Sequence, residues 1–346
     1  MFRASVAVLS DAHLGERNSW LEKQAVQDGV ISALNARPTV GTLVLLGDTL
    51  DLNLGPLVTG VEGRLRDSGR RPGLRSFLRE VCSRTAIGGI VYVVGNHDYA
   101  VWDWEATQRN ALTPLSRGES LHGAVVMSDT FPDPFLAGLL PDAKRHMLSL
   151  AFPHYLATIG THRVVMTHGH HLDRVQTEGI ALTDLPKASD PQVFLRNLTI
   201  ASAQYQTFAH ALSIRRRTRA ELHRLYWGLA PIYDFLVSAY KASRGLRKHA
   251  PSAAVLRAVD VYVHCVAAEP SASAFVFGHT HVPGKWMTKG DANRGWRPVC
   301  VYNSGSFVPP RGMDSSLLLL GLEGEQLVGD LVGFTSAGAE KTLPLC

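Results

Sequence analysis

The chain has 346 residues, of which 45% are hydrophobic and 19% charged, so it is long and apolar enough to bury a large core. The stretch before the first polar motif is too short for a signal peptide, and no run of 18 uncharged apolar residues occurs. The four cysteines are scattered without CxxC spacing, which favours free thiols in a reducing compartment. We therefore expect a cytoplasmic protein without a membrane span.

The first hundred residues alternate between strand-like and helix-like segments. Short apolar runs predict strands, and apolar residues at helical spacing predict the helices between them. This alternation predicts parallel strands with right-handed crossovers. In chain order the predicted elements are a strand at 4–9, a helix at 20–34, a strand at 42–46, a helix at 74–85 and a strand at 90–94.

After residue 110 the pattern changes to short strands joined by turns, which predicts a second sheet with antiparallel pairs. Residues 172–272 are helical in character, so we expect one domain over residues 1–346 with a helical insertion in it. A helix is predicted at 253–267 within this region. The remaining strands are predicted at 124–127, 146–152, 155–159, 163–167, 274–277, 299–302, 316–322 and 326–334.

Polar motifs follow several of the predicted strands directly. Open α/β sheets bind their ligands at the carboxyl ends of the strands, so these side chains are expected to meet. They supply carboxylate, amide and imidazole groups, a mixture that suits Mn²⁺, Fe or Zn²⁺. The pattern predicts a two-metal site with Asp48 as the bridge. The motifs are Asp11-Ala12-His13, Gly47-Asp48-Thr49-Leu50-Asp51, Gly95-Asn96-His97-Asp98, His168-Gly169-His170 and Gly278-His279-Thr280-His281.

In this order the motifs D-x-H, G-D-x-x-D, G-N-H-D, H-G-H and G-H-x-H resemble those of the calcineurin-like metallophosphoesterase superfamily. The resemblance covers residues 11 to 281. It implies a mixed α/β fold, a four-layer αββα sandwich of two facing sheets. It also implies an enzyme with two divalent metal ions, Mn, Fe or Zn, in which a bridging hydroxide attacks the phosphorus of a phosphoester.

The resemblance further implies a role for each motif residue. His97 resembles the general acid or transition-state stabiliser, oriented by Asp98. Asp51 and His170 would contact the metal ligands without binding the metal ions themselves. The turn at 303–306 resembles the one that follows the last metal motif in this superfamily. One metal would be held by Asp11, His13, Asp48 and His281, and the other by Asp48, Asn96, His168 and His279.

The insertion has a strongly basic composition. Residues 187–249 hold eleven Lys and Arg against three acidic residues, a net charge of +8, beside large apolar side chains. Either its apolar face docks on the core, or the insertion overhangs the site. In the second case it would select a phosphorylated, amphipathic substrate or contact an anionic membrane peripherally. Only the basic charge favours nucleic acid as a partner.

Two alternatives remain for the function. The layout is similar to that of the UDP-2,3-diacylglucosamine pyrophosphohydrolases, which act on a nucleotide-linked lipid. That similarity is carried by Ser10–Leu14 and Gly278–Pro283, but His97 and His170 stand where that group has Arg and Asp. The other alternative is a catalytically inactive binding scaffold with the same fold. Such proteins have lost metal ligands, and here none is missing.

Overall fold

The computed structural model describes residues 2–14, 19–50, 73–107, 116–118, 131–132, 136, 138–172, 251, 253–266, 272–309 and 313–343. Several sequence predictions lie outside these residues. They are the strand at 124–127, the role of Asp51, the role of the basic segment 187–249 and, apart from the helix predicted at 253–267, the helical character of the insertion at 172–272.

Thirteen strands, four α-helices and four 3-10 helices make up the regular structure of the described residues. A short 3-10 helix, Trp20–Glu22, precedes the first α-helix. The strands and helices are β1 Phe2–Leu9, α1 Gln24–Asn35, β2 Thr42–Leu46, α2 Leu74–Arg84, β3 Gly89–Val93, α3 Tyr99–Thr107, β4 Phe131–Pro132, β5 Leu148–Ala151, β6 Tyr155–Ile159, β7 His162–Met166, α4 Ala253–Val266, β8 Ala274–Phe277, β9 Gly284–Met287, β10 Cys300–Asn303, β11 Ser315–Glu323, β12 Gln326–Phe334 and β13 Glu340–Thr342.

The first sheet has eight strands in the order β13-β12-β11-β1-β2-β3-β5-β4. Strands β1, β2, β3 and β5 are parallel, as the early alternation predicts, and β11 to β13 add an antiparallel edge. The strand predicted at 146–152 was expected in the second sheet, and that was wrong. It is β5, which lies parallel to β3. Three of its four residues are buried, which is typical of a parallel strand covered on both faces.

The second sheet has five strands in the order β6-β7-β8-β10-β9. The antiparallel pair β6 and β7 is confirmed, and β7, β8 and β10 are parallel. Strand β9 was not predicted. It is four residues long, only Gly284 in it is buried, and it lacks the alternation that marks a strand.

Three layers of buried side chains place the two sheets face to face between helices. Val26, Phe77 and Trp102 of α1, α2 and α3 pack on the outer face of the first sheet. Tyr262 of α4 packs with Phe275 on the outer face of the second sheet. The fold is therefore the expected αββα sandwich of mixed sheets. The core between the sheets includes Val6, Val8, Val44, Leu46, Val91, Val93, Val164, Met166, Ala274 and Val276.

Among the described residues, no helix combines the length and the apolar character needed to cross a membrane.

Candidate metal centre

The predicted metal-binding residues lie in loops at the carboxyl ends of parallel strands from both sheets. Strands β1, β2 and β3 bring the motifs at Asp11, Asp48 and Asn96 to one edge of the first sheet. Strands β7 and β8 bring those at His168 and His279 to the second sheet's edge. Since the sheets face each other, the five loops meet at one place.

Backbone hydrogen bonds continue between the first two loops beyond the ends of β1 and β2. The Asp11 N–H donates to the carbonyl of Gly47 (3.1 Å), and the His13 N–H donates to the carbonyl of Asp48 (2.8 Å). Leu14 adds a third bond, to the carbonyl of Thr49 (2.9 Å). These bonds fix the two carboxylates relative to each other.

The backbone at the site is strained. Five non-glycine residues in the described parts of the chain have a positive φ, and all five are predicted metal ligands. Residues other than glycine rarely adopt this left-handed backbone conformation, and it persists only where the surrounding structure enforces it. The residues are Asp11 (φ 51°), His13 (43°), Asp48 (48°), His279 (65°) and His281 (61°).

Asp11, His13 and His281 form one group of potential metal ligands, whose donor atoms all lie within 4.8 Å of one another. The Nε2 atom of His281 is 3.2 Å from Oδ1 of Asp11. The Nε2 atom of His13 is 3.8 Å from Oδ1 of Asp11 and 3.8 Å from Oδ2 of Asp48. His13 thus faces both carboxylates.

Asp48, His168 and His279 form a second group within the same distance limit. The Nε2 atom of His168 is 3.2 Å from Oδ2 of Asp48 and 3.1 Å from Oδ1 of Asn96. Asp48 therefore stands between the two groups, and Asn96 adds an amide oxygen to the second. The structure therefore brings these predicted residues together, and their role as metal ligands stays a prediction.

The orientation of the imidazoles fits a cation. Nδ1 of His168 lies 3.1 Å from the carbonyl oxygen of Leu46, and Nδ1 of His281 lies 3.0 Å from that of Val308. A carbonyl only accepts, so each Nδ1 carries the proton. In the neutral ring, Nε2 then points a lone pair at the oxygens of Asp11 or Asp48. Such converging lone pairs need a proton or a metal ion between them.

The pKa values of the site residues also fit a cation. Burial disfavours the charged form of His168, but the facing carboxylates of Asp48 and Asp11 outweigh it and raise the pKa of His168 to about 10. Burial also opposes ionisation of the carboxylates, yet the neighbouring histidines hold the pKa of Asp48 well below its usual range. The metal-free protein therefore keeps a proton where a cation would sit.

Two glycines allow the backbone to approach these carboxylates. A Cβ atom at Gly278 would lie 2.5 Å from Oδ2 of Asp11 and would overlap the hydroxyl of Ser10. A Cβ atom at Gly95 would overlap Oδ1 of Asp48. The glycines of both motifs therefore act by leaving space for a ligand carboxylate.

Asp98 was expected to orient His97, and that role stays a prediction. Its carboxylate accepts from the Gly95 N–H (2.6 Å), the Thr49 N–H (2.9 Å) and the Tyr92 hydroxyl (2.6 Å). Burial and the charge of Asp48 raise the pKa of Asp98 to about 6. Asp98 thus ties the loop after β2 to the loop after β3.

His97 is held in place through its backbone. Its N–H donates to Oδ1 of Asp48 (2.7 Å), and its ring centroid lies 4.8 Å from that of His13. His97 is half-buried, as are His279 and His281, whereas Asp11 and Asp48 are buried. The carboxylates therefore form the floor of the site, and these imidazoles form a rim open to solvent.

A layer of polar groups supports the loops, and the sequence indicated only part of it. The Asn303 amide donates to the carbonyl of Gly278 (3.0 Å) and to the hydroxyl of Thr280 (2.8 Å), while Ser306 donates to the carbonyl of Asp11 (3.1 Å). The resemblance had marked this turn. It did not indicate Tyr92, a residue of the apolar strand β3 whose hydroxyl donates a hydrogen bond to Asp98.

The remaining histidines of the H-G-H-H segment lie behind the second ligand group. The ring of His170 is buried, with centroids 5.5 Å from His168 and 6.4 Å from His279. His171 is buried and stacks on Tyr262 at 5.4 Å. His170 thus lies where a supporting residue was expected, and that role stays a prediction.

Comparison with known proteins adds little to this geometry. No family model matches the chain, and no curated protein matches it. One similar solved structure is a conserved uncharacterized protein of Streptococcus pneumoniae, described as a predicted phosphoesterase. It has 12% identity and a TM-score of 0.31, with 95% of this chain and 89% of that chain covered. Similarity at that level carries no argument, so function is argued from the site.

The backbone strain predicts an unusual response to glycine. At His279 (φ 65°) the metal-free His279→Gly variant should be more stable than His279→Ala by about 1 kcal/mol, because only glycine adopts this conformation without strain. Urea unfolding in EDTA measures the difference. His162, the first residue of strand β7, is the control, and there alanine should be the more stable replacement. Equal stability of the two His279 variants would contradict the strain.

The raised pKa of His168, about 10, predicts proton release on metal binding. His168 is protonated in the metal-free protein at pH 8, so a divalent ion that binds Nε2 must displace that proton. Titration calorimetry in buffers of different ionisation enthalpy should show release of at least one proton per protein. Apparent affinity should rise with pH up to about 10.

His154 supplies the control for this experiment. Burial lowers its pKa to about 4, so it is already neutral at pH 8. The His154→Ala variant should therefore release as many protons as the parent. Binding heats that do not depend on the buffer would mean that His168 is not displaced.

Proposed function

We propose that this protein is a hydrolase of phosphoesters that depends on two divalent metal ions. The observation that carries the proposal is the buried carboxylate of Asp48, whose Oδ2 lies 3.8 Å from Nε2 of His13 in the first ligand group and 3.2 Å from Nε2 of His168 in the second. Two such groups with a common anionic bridge are the arrangement used to act on the attacking and leaving oxygens of an in-line displacement at phosphorus.

The residues proposed for each ion follow the geometry. Asp11, His13 and His281 would hold one ion and share Asp48 with the other, which Asn96, His168 and His279 would complete. Mixed nitrogen and oxygen donors favour Mn²⁺, Fe or Zn²⁺ over Mg²⁺. Bound there, such ions supply Lewis-acid stabilisation of phosphoryl oxygens and lower the pKa of water in contact with them.

The chain itself supplies a candidate proton donor. His97 stands on the solvent-facing rim beside His13, and its backbone is anchored to Asp48. From this position its imidazole can donate a proton to the oxygen that leaves phosphorus. Asp98 acts indirectly by holding the loop that carries His97.

The described residues favour an enzyme over an inactive scaffold, because every predicted metal ligand among them lies within one of the two groups or in contact with it. The described residues do not identify the substrate. The basic segment 187–249, which we propose selects an anionic and amphipathic phosphorylated substrate or contacts an anionic membrane, lies outside them. Cleavage of a nucleotide-linked lipid therefore stays a prediction from the sequence alone.

The bridge is tested by the Asp48→Ala variant. Removing the carboxylate common to both groups should cost both ions and reduce hydrolysis of p-nitrophenyl phosphate esters to background. Elemental analysis of the purified protein measures the metal content. Asp142→Ala, a change of the same kind at an exposed residue, should keep both ions. If the Asp48→Ala protein still holds two ions, the bridge is assigned to the wrong residue.

The role of His97 is tested by the nature of the leaving group. The His97→Ala variant should lower kcat by about 10²–10⁴-fold on a phosphodiester with an alkoxide leaving group. The loss should be smaller on a p-nitrophenyl ester, whose leaving group needs little protonation, and metal content should stay near that of the parent. Equal losses on both substrates would argue against proton donation.

A further inference from the structure

A cavity of about 500 Å³ lies at the end of the second sheet that is remote from the candidate metal centre. Its walls include the points at which parallel strands of that sheet begin: His162 opens β7, Ser273 precedes β8 and Cys300 opens β10. The loops that carry His168 and His279 follow the opposite, carboxyl ends of β7 and β8. None of the metal-centre residues lines the cavity.

A serine and a histidine form a hydrogen-bonded pair in this cavity. Oγ of Ser273 lies 2.9 Å from Nδ1 of His162, and Nε2 of the same ring lies 2.7 Å from the carbonyl oxygen of Glu325. A carbonyl only accepts, so Nε2 carries the proton of the neutral ring and Nδ1 holds the lone pair. The Ser273 hydroxyl therefore donates to Nδ1, which is the arrangement of a nucleophile beside its base.

The backbone of both sheets fixes the pair. The Ser273 N–H donates to the carbonyl of Arg163 in β7 (2.8 Å), and the Ser273 carbonyl accepts from the Cys300 N–H in β10 (3.4 Å). His162 is paired with β6 at the start of β7. Glu325 lies in the turn between β11 and β12 of the first sheet. The second sheet therefore holds the serine, and the first sheet orients the imidazole.

The cavity gives a small molecule access to the pair. Ser273 and His162 are half-buried, and both line the cavity, whose volume suits a small organic molecule. Leu327 and Pro298 add apolar surface to the lining. Arg297, also in the lining, is exposed and forms no ion pair with a residue that the structure describes. Its positive charge is available to an oxygen that becomes negative during a reaction.

The order of the three groups indicates acyl transfer. A serine hydroxyl is a weak nucleophile until a neighbouring base takes its proton, and a third group must orient that base. Here His162 is the base and the Glu325 carbonyl orients it. A serine activated in this way attacks carboxylic esters without a metal ion. A mere link between the sheets would need the bond from His162 to Glu325, but no hydroxyl at Nδ1.

We propose that Ser273 and His162 form a second catalytic site, which hydrolyses small carboxylic esters. Oγ of Ser273 bonds to the acyl carbon while its proton passes to Nδ1 of His162. That proton then goes to the alcohol oxygen as the bond between this oxygen and the acyl carbon breaks. Water, deprotonated by Nδ1, attacks the acyl carbon, the carboxylic acid leaves, and the proton returns to Oγ. This activity does not depend on the reaction at the metal centre.

Hydrolysis of p-nitrophenyl acetate by the full-length chain tests the proposal. The rate should be the same before and after treatment with EDTA, because the pair needs no metal ion. Ser273→Ala and His162→Gln should each lower kcat by about 10²–10⁴-fold. Arg297→Gln should lower kcat by a smaller factor. Metal content and melting temperature of the Ser273→Ala protein should match those of the parent, which separates a lost nucleophile from misfolding.

A fluorophosphonate probe locates the nucleophile. Its phosphorus should bond to Oγ of Ser273 with loss of fluoride, and peptide mass spectrometry should find one label per chain at that residue. His162→Gln keeps the serine but should slow the labelling, because the base is gone. Ser83→Ala, the same change at an exposed serine of α2, should be labelled and should hydrolyse the ester as the parent does.

Four results would overturn the proposal. The first two are ester hydrolysis by Ser273→Ala at the parent's rate and loss of the parent's ester hydrolysis in EDTA, which would assign the activity to the metal centre. The third is the absence of labelling at Ser273. The fourth is a His162→Gln protein that melts at a lower temperature but labels Ser273 at the parent's rate, because the pair would then only link the sheets.

Discussion

The site depends on the position of one buried carboxylate. Asp48 accepts from the His97 N–H through Oδ1 and presents Oδ2 to His168 and His13, so three loops converge on a single side chain. Because the pKa of Asp48 is held well below its usual range, the carboxylate stays charged despite its burial. A buried negative charge requires cations around it, and the surrounding histidines supply them either as protons or as ligands of a metal ion.

Backbone strain and missing side chains keep this arrangement in place. Five of the predicted ligands adopt left-handed backbone conformations that residues other than glycine avoid. A Cβ atom at Gly95 would overlap Asp48, and one at Gly278 would lie too close to Asp11, so glycine at these positions leaves room for the two carboxylates. Strain of this kind collects at functional sites, where the rest of the fold compensates for it. Here the compensation comes from the two packed sheets and from hydrogen bonds such as that of Ser306 to Asp11.

A second buried carboxylate has a structural role that its motif did not reveal. Asp98 is next to His97 in the chain, and its carboxylate oxygens accept hydrogen bonds from Tyr92, Gly95 and Thr49. It therefore fixes the distance between the ends of β2 and β3, and through them the distance from Asp48 to Asn96. Adjacency in a motif predicted that Asp98 belongs to the site, but not what it contacts.

The sequence by itself determined the parallel strands at 4–9, 42–46 and 90–94, the polar motifs at their ends and the expectation that these motifs meet. Apolar patterns and the polar motifs at strand ends depend only on residues that are close together in the chain, so they can be recognised without a structure. Only the tertiary structure decided that β5 joins the first sheet, that the Asp98 carboxylate accepts from the Tyr92 hydroxyl and the Thr49 N–H, and that Ser273 lies beside His162. Each of these depends on contacts between residues far apart in the chain, which no local pattern records.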